Sequence, residues 1–194
     1  AMHASFVDIH CHLLPGIDDG AADVATSLAM ARLAEQDGTH TIICTPHQLG
    51  SYGGNRGDAI RRSVAQLQRQ LAHAGHSLQV LPGADVRIEE GMLEQLAEGN
   101  VLTLADRGKH VLLELPHELY FPLEPLLDQL RAQHLVGILS HPERNQGLLR
   151  DRSAIGPLVD AGCLMQVTAG SLTGSMGSEP HRMAEWMLAE GFVH

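Results

Sequence analysis

Two histidines one residue apart, His10 and His12, end a short apolar run, Phe6-Val7-Asp8-Ile9. Imidazoles two residues apart at a strand end can splay onto one ion. The same placement recurs along the chain. His47 follows Thr41-Ile42-Ile43-Cys44, and Asp85 follows Leu78-Gln79-Val80-Leu81 within Gly83-Ala84-Asp85-Val86-Arg87. Glu114 closes His110-Val111-Leu112-Leu113, and His141 follows Val136-Gly137-Ile138-Leu139-Ser140. Thr168 and Ser171 follow a sixth run, Cys163-Leu164-Met165-Gln166-Val167. Taken singly, each of these could be a cap or a satisfied polar residue. Taken together, several consecutive strands deliver imidazole or carboxylate to one rim, which is how a multinuclear metal site is built. These donors suit Zn, Fe or Mn, and no thiolate set accompanies them. Asp18 and Asp19 either cap the helix that follows or lean toward the site, with Asp19 the candidate ligand. Cys11 lies between the two histidines, and strand alternation turns it to the opposite face, toward the core.

Cysteine chemistry is disfavoured. A phosphate-cradling thiolate loop places an arginine six residues after its cysteine. Those positions hold Ile17, Gly50 and Ala169 after Cys11, Cys44 and Cys163. Neither a Gly-x-x-x-x-Gly-Lys-Ser/Thr loop nor a Gly-x-Ser-x-Gly elbow is present. Lys109, the sole lysine, precedes a strand and cannot serve as a carbamylated bridge at its far end.

The elements that must hold these residues alternate strand and helix. Helices are predicted over 22–36, 58–74, 92–96, 123–133, 153–161 and 180–190, between the strands named above. In the first, Val24, Leu28, Ala29, Ala31 and Leu33 keep helical spacing up to Gly38; in the second, Ile60, Val64, Leu67 and Leu71 share one face. Phe192-Val193-His194 begins a seventh strand. Strand-then-helix repeats give parallel strands with outer helices, either a (β/α) barrel or an open doubly wound sheet. An eight-unit barrel takes about 250 residues, so the 194 residues here fit a smaller or truncated one in a single domain.

Composition narrows the class. Lys and Arg number 13 against 23 Asp and Glu, for a net charge of −10. That argues against a nucleic-acid partner, though a bound metal reverses the local sign for a small anion. No run reaches the ~18 apolar residues of a membrane span, and an odd cysteine count of three points to a reducing cytoplasm. Ala1 ahead of Met2 reads as a vector-derived residue. Histidines number 13, and His3, His73, His76, His134 and His181 read as solvated surface.

With these residues placed, the chain resembles the PHP (polymerase and histidinol phosphatase) superfamily. More closely, it is similar to the bacterial PHP-type protein-tyrosine phosphatases of capsule and exopolysaccharide operons. The matching stretches are Asp8-Ile9-His10-Cys11-His12 with Gly16-Ile17-Asp18-Asp19-Gly20, Thr45-Pro46-His47, Gly83-Ala84-Asp85-Val86-Arg87-Ile88, Leu113-Glu114, Ser140-His141-Pro142-Glu143-Arg144, and Gln166-Val167-Thr168 with Ser171-Leu172-Thr173-Gly174. They run the whole length, in order. The resemblance implies a distorted seven-stranded (β/α) barrel with up to three ions, often Mn2+. By match, His10, His12, His47, Glu114 and His141 would be ligands, with Asp19 and Asp85. The family usually carries Glu where this chain has Asp85, one methylene shorter. It also continues past the last strand with an Ala-Ser-Asp-Ala-His-like run that supplies two more ligands. The expectation is therefore that the native chain extends beyond His194.

The activity so implied is hydrolysis of phosphotyrosine by a metal-activated hydroxide, on the tail of a bacterial tyrosine kinase. Arg144 is the candidate clamp for the phosphoryl oxygens, since guanidinium matches phosphate bidentately; an ion pair with a neighbouring acid is its other reading. Two further functions stay open: a small-molecule phosphoesterase such as a histidinol-phosphate phosphatase, and a non-catalytic regulator of the kinase.

Overall fold

The computed structural model describes residues 6–194, so the readings of His3 and of the start at Met2 lie outside the described residues. The chain divides into two compact units, residues 1–108 and 109–194.

In the first unit, β1 (Phe6–Cys11), β2 (Thr39–Cys44) and β4 (Gln79–Pro82) form a parallel sheet in the order β1-β2-β4. Cys11 pairs with Cys44, and Cys44 with Pro82, so three strands end at one edge. Beyond that edge, β3 (His47–Gln48) and β5 (Asp85–Arg87) pair in parallel with His47 opposite Asp85. Parallel register thus sets the residues after consecutive strands side by side. Helix α1 (Val24–Gln36) starts at Asp23, whose carboxylate accepts the Thr26 N–H at 2.8 Å. This cap, rather than Asp18 or Asp19, satisfies the helix end. Helix α2 (Gly57–His73) buries Ile60, Val64, Leu67 and Leu71, the predicted face, and packs on β4. A short α3 (Met92–Ala97) follows.

In the second unit, β6 (His110–Glu114), β7 (Val136–Ser140) and β8 (Leu164–Gln166) are parallel, with Leu113 opposite Leu139 and Ser140 opposite Gln166. Val111, Leu112, Leu113, Leu139 and Met165 are fully buried, each 0% exposed, so the strands read as unbroken apolar runs. Around them lie α4 (Glu124–Ala132), α5 (Gln146–Arg150), α6 (Ile155–Asp160), α7 (Ala169–Leu172) and α8 (Ser178–Ala189). Gly137 lets β7 and α4 pack closely: a Cβ there would sit 2.9 Å from Leu113 Cδ1 and 3.1 Å from Leu127 Cδ2, so those side chains would have to shift.

The α/β class and the parallel strands agree with the sequence. Among the described residues, no ladder closes the strands into one seven-membered ring. Phe192-Val193-His194 is not a strand, although the His194 N–H donates to the Met165 carbonyl at 3.3 Å. Of the histidines read as surface, His73 and His134 are exposed. His76 is not: only 7% of its side chain is exposed, and its Nδ1 lies 2.6 Å from the Glu35 carboxylate. That carboxylate also accepts the Ser77 and Leu78 N–H groups, fastening α1 to the entry of β4. His181 contacts the Ser171 carbonyl at 3.0 Å.

Candidate metal centre

The edge of the first unit gathers His10, His12, Asp19, His47 and Asp85. His10 Nε2 lies 3.3 Å from His12 Nε2 and 3.5 Å from Asp85 Oδ2. His47 Nδ1 is 3.6 Å from the same Asp85 oxygen, and Asp85 is 0% exposed. Asp19 Oδ1 lies 3.5 Å from His47 Nε2 and 3.7 Å from His12 Nδ1. His10, His12 and Asp85 thus form one set of three donors, and His12, Asp19 and His47 another, each within 4.8 Å.

Several neighbours hold these side chains in place. The loop after β1 folds back so that the Ala21 N–H donates to the His12 carbonyl at 3.1 Å. A Cβ at Gly20 would fall 2.2 Å from that carbonyl oxygen, so only glycine permits the approach. The turn delivers Asp18, whose side chain is 1% exposed, to His12 Nδ1 at 2.7 Å. Asp18 also accepts the Gly20 N–H at 3.0 Å and the His47 N–H at 3.2 Å. Burial alone would raise the Asp18 carboxyl, but these bonds and the His12 charge outweigh it and hold it below the ordinary carboxylate range. His47 stacks on Tyr52, ring centroids 5.2 Å apart at 19°. Its neighbour Gln48, 1% exposed, donates to the Asn55 and Asn100 carbonyls and accepts the Leu102 N–H, which pins the short β3.

The donor set fits a divalent ion. Two ring nitrogens 3.3 Å apart cannot both carry protons, so at least one lone pair lies beside a buried carboxylate. Such nitrogen and oxygen donors suit a first-row divalent metal.

The other predicted residues stand in the second unit. Glu114 is the last residue of β6. His141 follows β7 in left-handed backbone, φ 34° and ψ 52°, and its N–H donates to the Gln166 side chain at 3.4 Å. Histidine is among the few residues that adopt this region, and strained backbone of this kind collects at functional sites. Arg144 ends the tight turn Pro142–Arg144. Within that turn Glu143, 0% exposed, accepts the Thr168 N–H at 3.0 Å and the Ser171 hydroxyl at 2.7 Å. Thr168 and Ser171 therefore fasten one rim loop to the next.

Sequence reasoning passed over Asp18 as orienter, Tyr52 as stacking partner and Glu143 as tie. Only Asp18 had a signal, an acid six residues after His12. Cys44 and Cys163 are buried, and Cys11 is half-buried rather than in the core. Burial, then the nearby Asp8 and Asp18 charges, push the Cys11 thiol up to about 12; burial pushes Cys163 to about 11 and raises Cys44 as well. None is a thiolate at neutral pH.

Parallel strands that bring imidazole and carboxylate donors to one cluster define an α/β protein with a candidate metal site. The model of the family "Capsular polysaccharide synthesis, CpsB/CapC" matches residues 6–194, and the chain belongs to that family. It is 36% identical over 190 residues to tyrosine-protein phosphatase YwqE of Bacillus subtilis, covering 97% of this chain and 74% of that protein. It is 24% identical over 194 residues to tyrosine-protein phosphatase CpsB of Streptococcus pneumoniae, covering 97% and 79%. Among solved structures it matches one from work on YwqE and CpsB, described as unique metal-dependent tyrosine phosphatases. That match has a TM-score of 0.93 and 35% identity, covering 97% of this chain and 76% of that one. The resemblance read from the sequence is borne out.

Proposed function

We propose that this chain is a metal-dependent protein-tyrosine phosphatase that hydrolyses phosphotyrosine on the tail of a capsule-related bacterial tyrosine kinase, in the cytoplasm. The observation that carries this reading is the His10, His12, Asp19, His47 and Asp85 cluster in a chain 36% identical to a named tyrosine phosphatase. In this reading those five residues, with Glu114 and His141, hold up to three ions, Mn2+ or else Fe or Zn, in a seven-stranded (β/α) barrel domain spanning the chain.

Ions held by these residues would supply positive charge to activate a water and to offset the phosphoryl group's negative charge. The protein's own residues do the rest. Asp18 holds the proton of His12 on Nδ1 and so leaves Nε2 for a ligand role. Asp85, shared by His10 and His47, aligns both rings. Arg144 clamps the phosphoryl oxygens. Tyrosine's phenolate, with a pKa of ~10, leaves without a strong general acid.

An assay of a phosphotyrosyl peptide beside histidinol phosphate, with Mn2+ and with chelator, tests this reading. The peptide is expected to be hydrolysed with Mn2+ and not with chelator. Preference for histidinol phosphate would make the chain a small-molecule phosphoesterase, and peptide binding without turnover would make it a regulator.

Asp18→Asn tests the orientation of His12. An amide can accept only through one oxygen and sets N–H against N–H at the other position. Mn2+ affinity is expected to fall roughly 10- to 100-fold, read by titration, with the circular dichroism spectrum kept. Unchanged affinity would reduce Asp18 to a loop tie.

A further inference from the structure

Arg144 opens onto a cavity of about 620 Å³ within the second unit, lined also by Arg182, His117, Gln146, Met176 and Glu179. Among the described residues, neither the Arg144 nor the Arg182 guanidinium has a hydrogen-bond or ion-pair partner. Glu179 lines the same cavity one turn before Arg182, yet no ion pair joins them. Arg61 pairs with Asp106, Arg62 with Asp58, and Arg152 lies over Trp186, while Arg32, Arg69, Arg107 and Arg150 are also without a side-chain partner among the described residues. What distinguishes Arg144 and Arg182 is that both line one cavity. The start of α8 borders the cavity through Gly177, Ser178 and Glu179, with no side chain capping it. Its partial positive charge adds to that of the guanidiniums.

The cavity is too large for a lone phosphate and is not wholly polar. Met176, 44% exposed, supplies an apolar wall. An extended peptide carrying an acidic side chain has the matching chemistry: carboxylate for guanidinium and aliphatic stem for Met176.

We infer that the Arg144–Arg182 cavity is a peptide subsite that takes an acidic residue flanking the phosphotyrosine, with Arg182 as the specificity-determining residue. The inference rests on the phosphatase reading and deepens it from phosphotyrosine in general to phosphotyrosine in an acidic sequence. In that reading Arg144 would serve both the phosphoryl group and the subsite, and Arg182 stands on α8, whose Met183, Ala184 and Met187 are buried and fix it. Because the Arg182 side chain is exposed, its replacement spares the core.

The test uses two phosphotyrosyl peptides of equal length, one flanked by glutamates and one by glutamines. KM is measured with Mn2+, and Kd by fluorescence anisotropy with chelator. The acidic peptide is expected to be favoured roughly 3- to 10-fold by both measures, the range for one or two guanidinium–carboxylate contacts at a partly exposed site. Arg182→Gln should bring the ratio to near one, Arg182→Lys should keep part of it, and Arg182→Glu should reverse it. The preference should shrink as salt is raised. A ratio near one in the unaltered protein, or one untouched by Arg182→Gln, overturns the subsite. If neither peptide is hydrolysed while the Kd preference and its loss in Arg182→Gln hold, the phosphatase reading fails and the subsite stands.

Discussion

Replacing His10 and His12 together by alanine is expected to strip bound metal and reduce phosphatase turnover by roughly three orders of magnitude or more. Charge stabilisation by a catalytic ion is worth several kcal/mol, and each ~1.4 kcal/mol is a factor of ten in rate. The two rings supply donors to the His10–His12–Asp85 set and to the His12–Asp19–His47 set, so their loss breaks both of these. The fold should survive, because β1 is held by its backbone ladder to β2 rather than by the imidazoles. Elemental analysis of the folded double variant, checked by circular dichroism, gives the readout. Undiminished metal content would remove the pair from the centre.

Arg144→Lys keeps the charge and should still cost about 10- to 1000-fold in kcat, the range for one preorganised transition-state contact. An ammonium cannot reproduce the planar fork that grips two phosphoryl oxygens. The loss should fall on kcat more than on KM, because the grip tightens as the phosphoryl group transfers. An equal rate would assign Arg144 to structure.

Both predictions concern residues that the sequence placed at strand ends, and the register explains why they were legible. Once strands are parallel, consecutive C-terminal ends share an edge, so His12, His47 and Asp85 had to converge. The strongly periodic α2 and the apolar runs of β6 and β7 were visible for the same reason, since burial imposes a regular pattern. The two- and three-residue strands β3 and β5 were not, because so few residues carry no period. Nor were α5 and α7, of five and four residues. For Asp18 and Asp19 the sequence leaves a helix cap and a place at the site both open, because either acid suits either role. The deciding fact, the closure of Gly20 on the His12 carbonyl, exists only in three dimensions. His76 was mistaken for surface for a like reason: its partner Glu35 lies far away in sequence.

Arg144 combines a fixed root with an untethered tip. Its N–H donates to the His141 carbonyl at 2.9 Å, and Glu143 beside it is locked to Thr168 and Ser171. Asn145 on the other side donates to the Pro116 and Leu119 carbonyls at 2.8 and 2.9 Å. The guanidinium itself is bonded to nothing among the described residues. Folding therefore leaves the tip its rotamer freedom, worth about 2 kcal/mol for such a side chain, and in the proposed phosphatase that freedom is surrendered when the phosphoryl group binds. A phosphate monoester dianion offsets this ordering more fully than a singly charged diester does. The ordering cost is the same for both, so in the proposed phosphatase any preference for a doubly charged group would be electrostatic, exerted by a free tip on an immobile backbone.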